Sequence, residues 1–412
     1  MKSKDWQRSL ASRANQQPES INFALPMLYV LMTALFLLPN HNVSYLVMLG
    51  AIFTILLHSI IKVGALTFAI LVLWSYVFCS TIVQGVYDLD VVLIVKLVFM
   101  SMLVASLMVL DKPMLFKGIT ETHFMQMQYF IFLLSVALLF SQFVLIYKIS
   151  PLNDFIISVY MRGDVFAAMY EGDLEVGTER SGGLFINPNQ IAKAFSFLLV
   201  MSAIVLSKGK ANKPYVFYAT FAVISFGVFV SGSRTGLLTI AFIFFLWNVK
   251  YITAAKVALF FVGVVAVFVL QTILAESRVF TADASALDSL FYKLNFAALY
   301  LSQSQFVEMV FGHGLNSYHS AIEGLSVGGL NFGFDADIGY AIFHFGVLGT
   351  AAIATCFILL KLKFDIPGYV YGIMLWIITS SIFFNIRGIA TLTVIFILLN
   401  LKITWEKSNN AE

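Results

Sequence analysis

Residues 216–249 read VFYATFAVISFGVFV-SGSRTG-LLTIAFIFFLWNV, two apolar runs joined by a short segment of mostly small residues. With its flanks, each run approaches the length of a membrane helix, and residues 231–236 between them are enough only for a turn. Arginine is among the most costly side chains to place inside a bilayer. The stretch therefore predicts a tight hairpin of two membrane helices, with Arg234 at the end where they join.

The rest of the chain repeats this pattern. Of its 412 residues, 60% are hydrophobic and only 11% are charged, whereas a soluble domain carries roughly 25% charged residues. This composition predicts an all-α polytopic membrane protein with about 12 transmembrane helices. The predicted spans are 21–38, 43–61, 63–83, 91–110, 124–147, 190–207, 213–231, 234–249, 253–274, 338–360, 367–384 and 388–403.

The spans set the predicted organisation of the chain. About twenty polar residues precede the first run and no small-residue cleavage site follows it, so a cleavable signal peptide is not predicted. The segments are a cytoplasmic tail at 1–20, transmembrane helices 1–5 at 21–147, an outer loop at 148–189, helices 6–9 at 190–274, a large outer loop at 275–337, helices 10–12 at 338–403 and a cytoplasmic tail at 404–412. Both outer loops are predicted to carry short amphipathic helices, at 153–170, which could lie in the membrane interface, and at 287–302.

The charges indicate which ends of the spans face the cytoplasm. With the N-terminus inside, the inner ends and loops hold sixteen of the 25 basic residues, the outer ones hold seven, and two lie within spans. Acidic residues run the other way, seven inside and fifteen outside. This is the positive-inside pattern of membrane proteins, so both termini are predicted to be cytoplasmic.

The outer basic residues are mostly arginine, whose rigid fork of donors suits phosphate or carboxylate. The candidates are Arg180, Arg234, Arg278 and Arg387. Arg234 and Arg387 lie in short turns between spans, and a cation beside a helix N-terminus is unfavourable unless an anion joins it. The alternative is structural, because arginines also tie down loops or reach from a span end to the headgroups.

Polar residues mark the outer starts of two spans. Asn187 and Asn189 open the sixth span and Ser233 opens the eighth, so N-caps there would direct backbone N–H groups at the outer surface. Lys193 lies within a span, where a lysine snorkels to the membrane surface or is paired, but it is one turn past Asn189 and could join an outer polar cluster. His344, inside the tenth span, is predicted to pack between helices.

The loop before the tenth span combines glycines with ionisable residues. Seven glycines lie between 312 and 339, and this density suits a loop that wraps closely around a ligand. His313 and His319 are candidates for a general base, a hydrogen-bond donor or metal ligands, although spacing places no third metal ligand. Asp335 and Asp337 end the loop, where a carboxylate acts as a base or caps the next helix.

Four motifs in this order resemble bacterial O-antigen polymerases and O-antigen ligases. ERSGGLFINPNQIA at 179–192 and VSGSRTGLL at 230–238 are similar to the family's G-x-F-x-N-P-N and S-G-S-R segments. FGHGLNS at 311–317 and DADIGYAIFHFGVLG at 335–349 resemble the later F-G-x-G segment and the D-x-G-Y run of the polymerases. The resemblance covers about 180–350, and the His-Asn pair usual in ligases is missing, which favours a polymerase.

The resemblance implies a glycosyltransferase of the bacterial inner membrane whose active site faces the periplasm, so that the outer loops are periplasmic. The donor is a glycan on undecaprenyl pyrophosphate and the acceptor is a sugar hydroxyl on a new lipid-linked repeat unit. Pyrophosphate is the leaving group, so no metal, nucleotide or other cofactor is implied. The implied partners are the lipid-linked oligosaccharide, membrane lipid, a chain-length regulator and a flippase, with no nucleic acid.

This chemistry requires fixed cations near the leaving pyrophosphate and a base near the acceptor hydroxyl. The implied roles give pyrophosphate binding to Arg234 and Arg180, assisted by Arg278 or Arg387, and proton transfer to His313 or Asp337. The other residues implied in substrate binding are Asn187, Asn189, Ser233, His319, Asp335 and Tyr340.

Two other classes of protein compete with this interpretation. A flippase or transporter for the same lipid-linked unit would need polar residues deep in several spans, or repeated halves, whereas here the ionisable residues lie mostly at the outer ends. A passive membrane scaffold would not require arginine in tight outer turns.

Overall fold

The structure, a computed structural model, describes most of the predicted helical core and part of the loops. Within the described residues the chain is mostly helical and contains no strand. The described residues are 24–39, 42–57, 65–84, 94–95, 97–102, 119–160, 181–185, 187–209, 213–249, 301–302, 304–314, 337–363, 366–374, 376 and 385–401.

The helices follow the apolar runs of the sequence. Their bounds are α1 Ala24–Leu37, α2 Asn42–Leu57, α3 Ala65–Gln84, α4 Glu121–Ile146, α5 Leu152–Tyr160, α6 Pro188–Lys208, α7 Pro214–Val230, α8 Arg234–Val249, α9 Phe306–Phe311, α10 Asp337–Lys363 and α11 Ile386–Asn400, with a 3₁₀ helix at Gly368–Met374 before α11. Helices α7 and α8 form the predicted tight hairpin, joined by three residues. The predicted span 253–274 lies outside the described residues, so the count of twelve stays a prediction.

Helix α6 is the centre of the described core. Every residue from Ile191 to Val205 is buried, and a helix that is hydrophobic all round is one that is enclosed on all sides. It packs against α4, α7, α8 and α11. Its two ends, which we call the Asn187 end and the Lys208 end, therefore define the two ends of the helical core.

Hydrogen bonds connect neighbouring helices at both ends of the core. The amide of Gln142, near the C-terminus of α4, donates to the carbonyl of Gly227, near the C-terminus of α7, at 3.0 Å. At the Lys208 end, the ammonium of Lys208 donates to the carbonyl of Leu401 at 3.0 Å. The sequence predicts that the Asn187 end is periplasmic.

Three described helices are long and apolar enough to cross a membrane, namely Glu121–Ile146, Pro188–Lys208 and Gly339–Cys356. Large apolar side chains also lie exposed on the outside of the core, for example Leu46, Leu133 and Leu238. Both observations are consistent with a multi-pass membrane protein, because side chains that face lipid have no need of water.

Two elements depart from the simple spans predicted from sequence. The tenth span, predicted as one helix, is broken at Gly346, whose φ of 63° and ψ of −173° are not helical. The predicted eleventh span begins as a 3₁₀ helix that packs on α8, with Gly372 directly against Ile243. In both places a glycine allows a backbone approach that a side chain would block.

Helix α5 is the described part of the predicted interfacial helix. It buries Ile156 against Val144 and Leu145 at the end of α4 and exposes apolar Phe155. The Tyr160 hydroxyl at its C-terminus donates to the carbonyl of Leu37 at 2.6 Å. Helix α5 is therefore fixed to the Asn187 end of α1 and α4.

Candidate functional site

The segment 181–185, which carries the first glycines of the family-like motif, is held on the end of α4. The amide of Gln142 donates to the carbonyl of Ser181 at 3.0 Å, and the N–H of Leu184 donates to the Ser141 hydroxyl at 3.2 Å. Gly183 has a φ of +55°, and a Cβ on it would lie 2.4 Å from that hydroxyl. The motif needs glycine here because of both the backbone conformation and the space.

Asn187 begins α6 as the sequence predicts. Its Oδ1 accepts from the N–H of Asn189 at 2.8 Å, and Pro188 occupies the first helical position. Asparagine is a strong N-cap, and proline loses no hydrogen bond at this position. The Asn187 carbonyl also accepts from the N–H of Gln190 at 2.9 Å, so two first-turn N–H groups of α6 are already paired.

The SGSRTG turn packs against the start of α6. The Ser233 hydroxyl donates to Oδ1 of Asn189 at 2.9 Å and accepts from the N–H of Gly236 at 3.2 Å, which caps α8. A Cβ on Gly236 would lie 2.8 Å from the Cβ of Ala192. The predicted cap of α8 is present, and α8 lies close to α6 at Gly236. These two contacts bring Asn189 and Ser233 together. The structure describes only the backbone of Arg234, the first residue of α8.

A small, open pocket lies beside this cluster, between α1, α6 and α11. It contains two cations, Lys193 from α6 and Arg387 from α11, and none of its described lining residues is acidic. The polar lining residues are Gln190, Lys193, Asn385, Arg387 and Thr391, and the others are Leu35, Phe36, Phe185, Ala194, Phe197 and Gly388. The lining therefore combines positive charge with an apolar wall.

Arg387 is held partly by structural contacts. One guanidinium nitrogen, Nη2, donates to the carbonyl of Leu38, and the guanidinium carbon lies 5.2 Å from the centre of the Phe185 ring. The structural alternative predicted from sequence, an arginine that ties down a loop, thus describes part of the role of Arg387. Its buried Nε, however, makes no hydrogen bond to any described atom. An unmade bond of this kind costs about 1–3 kcal/mol, which a bound oxygen would recover.

Lys193 is the most buried cation in the described part of this end. Its side chain is 4% exposed, and Nζ lies 6.0 Å from the centre of the Trp376 ring, a distance typical of a cation–π contact. Lys193 therefore brings a positive charge to the lining of the pocket.

The first-turn N–H groups at this end are less available than the sequence suggests. Asn187 and Ser233 cap α6 and α8, and Oδ1 of Asn385 accepts from the N–H of Arg387 at 3.0 Å to cap α11. The side-chain cations, rather than the N–H groups already paired with these caps, are then the donors that the pocket offers. The dipoles of α6 and α11 still add positive potential at their N-termini.

His313 lies in a second cluster, at the break in α10. The centre of its ring is 4.8 Å from the centre of the Phe343 ring. Its backbone N–H donates to the Phe343 carbonyl at 2.8 Å. Burial lowers the pKa of His313 below its ordinary 6.5, and the Glu308 carboxylate acts in the opposite direction. The imidazole is therefore mostly neutral near pH 7, the state that a general base requires. Tyr340 belongs to this cluster, with its ring stacked 5.8 Å from His344.

The other five predicted site residues lie outside the described residues or are described only in part. Arg180, Arg278, His319 and Asp335 lie outside the described residues, and of Asp337 only the backbone is described, as the first residue of α10. Within the described part of the chain, no three His, Cys, Asp or Glu side chains lie close enough to hold a metal ion.

Sequence reasoning missed most of the pocket. It left Lys193 as snorkelling, paired or part of an outer polar cluster, and it did not single out Gln190, Asn385 or Phe185. Asn385 had a local signal, since Asn two residues before Arg387 repeats the spacing of Asn187 before Asn189 and marks a helix start. Phe185 had none, because its contact with Arg387 is set by tertiary packing.

Comparison with known proteins adds no identification. No protein-family model matches the sequence, and neither the curated proteins nor the solved structures contain a significant match. The resemblance to O-antigen polymerases and ligases therefore rests on the four motifs quoted above and on their order along the chain.

Proposed function

We propose that the protein is a glycosyltransferase of the O-antigen polymerase type, which joins oligosaccharide repeat units carried on undecaprenyl pyrophosphate at the periplasmic face of the inner membrane. The observation that carries the proposal is the pocket that Lys193 lines from α6 and Arg387 lines from α11. Two cations beside the N-terminus of a helix suit a diphosphate, which carries charge on both phosphate groups.

The pocket also suits the lipid next to that diphosphate. Leu35, Phe36 and Phe197 line it together with the cations. An apolar wall beside paired cations matches a prenyl pyrophosphate, in which the charged group is joined directly to a hydrocarbon chain. A free nucleotide or a soluble sugar phosphate lacks this combination, so the pocket favours a lipid pyrophosphate.

The reaction then follows from charge and proton balance. The acceptor hydroxyl oxygen bonds to the anomeric carbon of the donor, and the bond from that carbon to the pyrophosphate oxygen breaks. Negative charge builds on the leaving pyrophosphate, where Lys193 and Arg387 stabilise it. His313, neutral near pH 7, takes the hydroxyl proton. Arg234 begins α8 directly after Ser233, which contacts Asn189, so this sequence-predicted cation starts at the same end of the core.

A reconstituted reaction tests the proposal. The purified protein in liposomes is given lipid-linked repeat units as the sole substrate, and we expect chains of two or more repeats on the lipid. Lys193→Met should abolish this lengthening while the protein stays folded. Transfer of glycan to added lipid A–core without lengthening would instead identify a ligase, and movement of intact units across the bilayer without glycosyl transfer would identify a flippase.

A further inference from the structure

The break in α10 is closed by a segment from a distant part of the chain. In a continuous helix the carbonyls of Phe343 and His344 would accept from N–H groups four residues later, beyond the break at Gly346. In the structure these two carbonyls accept from the N–H groups of His313, at 2.8 Å, and Gly314, at 3.0 Å. The segment Gly312–Gly314 thus supplies donors to α10 at the break, as an apolar surrounding requires.

Two glycines allow this contact between backbones. A Cβ on Gly312 would lie 2.5 Å from both the backbone nitrogen of Gly346 and the backbone carbon of His344. A Cβ on Gly346 would lie 2.3 Å from the carbonyl oxygen of Val310. Backbone atoms cannot move aside as a flexible side chain can, so the Gly312–Gly314 segment fits against α10 in one close arrangement.

His344 adds a side-chain bond to the same contact. Its Nδ1 lies 2.8 Å from the carbonyl oxygen of Gly314, and a carbonyl can only accept, so Nδ1 carries the proton. Since the His344 carbonyl accepts from the N–H of Gly314, residues 344 and 314 are joined by two hydrogen bonds. The ring is 2% exposed and stacked on Tyr340, so it has little freedom to turn away.

We propose that His344 is a positioning residue for His313, holding the Gly312–Gly314 segment in the break so that the imidazole of His313 keeps a fixed place and depth. The catalytic consequence rests on the proposed function, in which His313 is the base, whereas the positioning itself does not. Among the described residues, the Phe343 ring packs on His313 and the Glu308 carboxylate acts on its charge.

Two amide substitutions separate positioning from simple filling of space. In His344→Asn the side-chain amide nitrogen takes the place of Nδ1, so it still reaches the Gly314 carbonyl. In His344→Gln the amide nitrogen takes the place of Nε2 and points elsewhere, although size and polarity change little. We therefore expect the Asn variant to hold the segment and the Gln variant to release it.

Carbethoxylation of histidine by diethyl pyrocarbonate measures the position of His313 without any enzymatic assay. The rate at His313 is followed by peptide mass spectrometry at pH 7 in the full-length protein, with His123 near the start of α4 as an internal reference. Losing a buried hydrogen bond should raise the His313 rate roughly five- to thirtyfold in His344→Gln. His344→Asn and the control Thr355→Val, whose hydroxyl bonds only within α10, should keep the wild-type rate.

The outcomes distinguish this inference from the proposed function. Equal His313 rates in the Asn and Gln variants, whether both high or both like wild type, would overturn the positioning role. A raised rate in the Gln variant, together with a wild-type protein that does not lengthen lipid-linked chains, would leave the positioning role standing and refute the polymerase. Where both hold, His344→Gln should lower kcat more than it changes KM.

Discussion

Lys193→Met is the substitution whose effect separates a binding residue from a structural one. Methionine keeps much of the length and apolar surface of the lysine stem and removes its charge. If Lys193 binds the pyrophosphate, the variant loses a charge-assisted interaction of about 1.5–3 kcal/mol, which is roughly a 10- to 150-fold loss of affinity. The Lys193 side chain is 4% exposed, so melting temperatures measured in parallel separate a loss of binding from a loss of stability.

Lys208 at the other end of α6 is the matched control. Its ammonium donates to the carbonyls of Leu399 and Leu401 at the end of α11, a cation at a helix C-terminus, which is favourable. Lys208→Met should therefore lower the melting temperature, at a cost of about 1–3 kcal/mol, and leave ligand affinity unchanged. We therefore expect a loss of ligand affinity from substitution of Lys193 and not from substitution of Lys208.

The assay is binding of a short-chain prenyl pyrophosphate to the purified protein in detergent, by calorimetry, with melting temperatures measured in parallel. The reasoning predicts weak binding for Lys193→Met, and wild-type binding with reduced stability for Lys208→Met. Wild-type affinity in Lys193→Met would refute the pocket as the pyrophosphate site. An equal loss of affinity in both variants would show that the effect is a general one of removing charge.

Three further predictions concern the start of α8 and the residue His313. Gly236→Leu should strongly reduce the amount of folded protein on size-exclusion chromatography, because its Cβ alone would lie 2.8 Å from the Cβ of Ala192; normal folding would contradict the close approach. Ser233→Ala should cost about 1 kcal/mol of stability through loss of the helix cap, seen as a lower melting temperature, and an unchanged value would count against the cap. The pKa of His313 is lowered by burial despite Glu308, so its contribution to stability is fully present above pH 6.5 and is lost as the pH falls through the lowered pKa. His313→Gln should therefore make the melting temperature less sensitive to acid, and identical pH dependence would refute the burial.

The starts of helices were predictable from sequence because they depend on local chemistry. Asn187-Pro188 is a cap followed by proline at the first helical position, and the serine before Arg234 marks a helix start by the same rule. The length of the two apolar runs, with only a few residues between them, left no alternative to a hairpin.

The pocket and the helix break were not predictable because they depend on tertiary contacts. Phe185, Lys193 and Arg387 meet only because α6 and α11 pack side by side. Nothing local distinguishes Gly346 from Gly349, which stays helical three residues later. The break forms at Gly346 because residues 312–314 supply the hydrogen bonds lost there, and that partner is not visible from the sequence of α10.

The lipopolysaccharide of a deletion strain tests the central claim most directly. If the protein polymerises lipid-linked repeat units, gel electrophoresis of that strain should show a single repeat unit on lipid A–core, and the wild-type gene, but not Lys193→Met, should restore the ladder. An unchanged ladder in the deletion strain would contradict the account. Bare core with free lipid-linked polymer would also contradict it, because that pattern is expected from loss of a ligase.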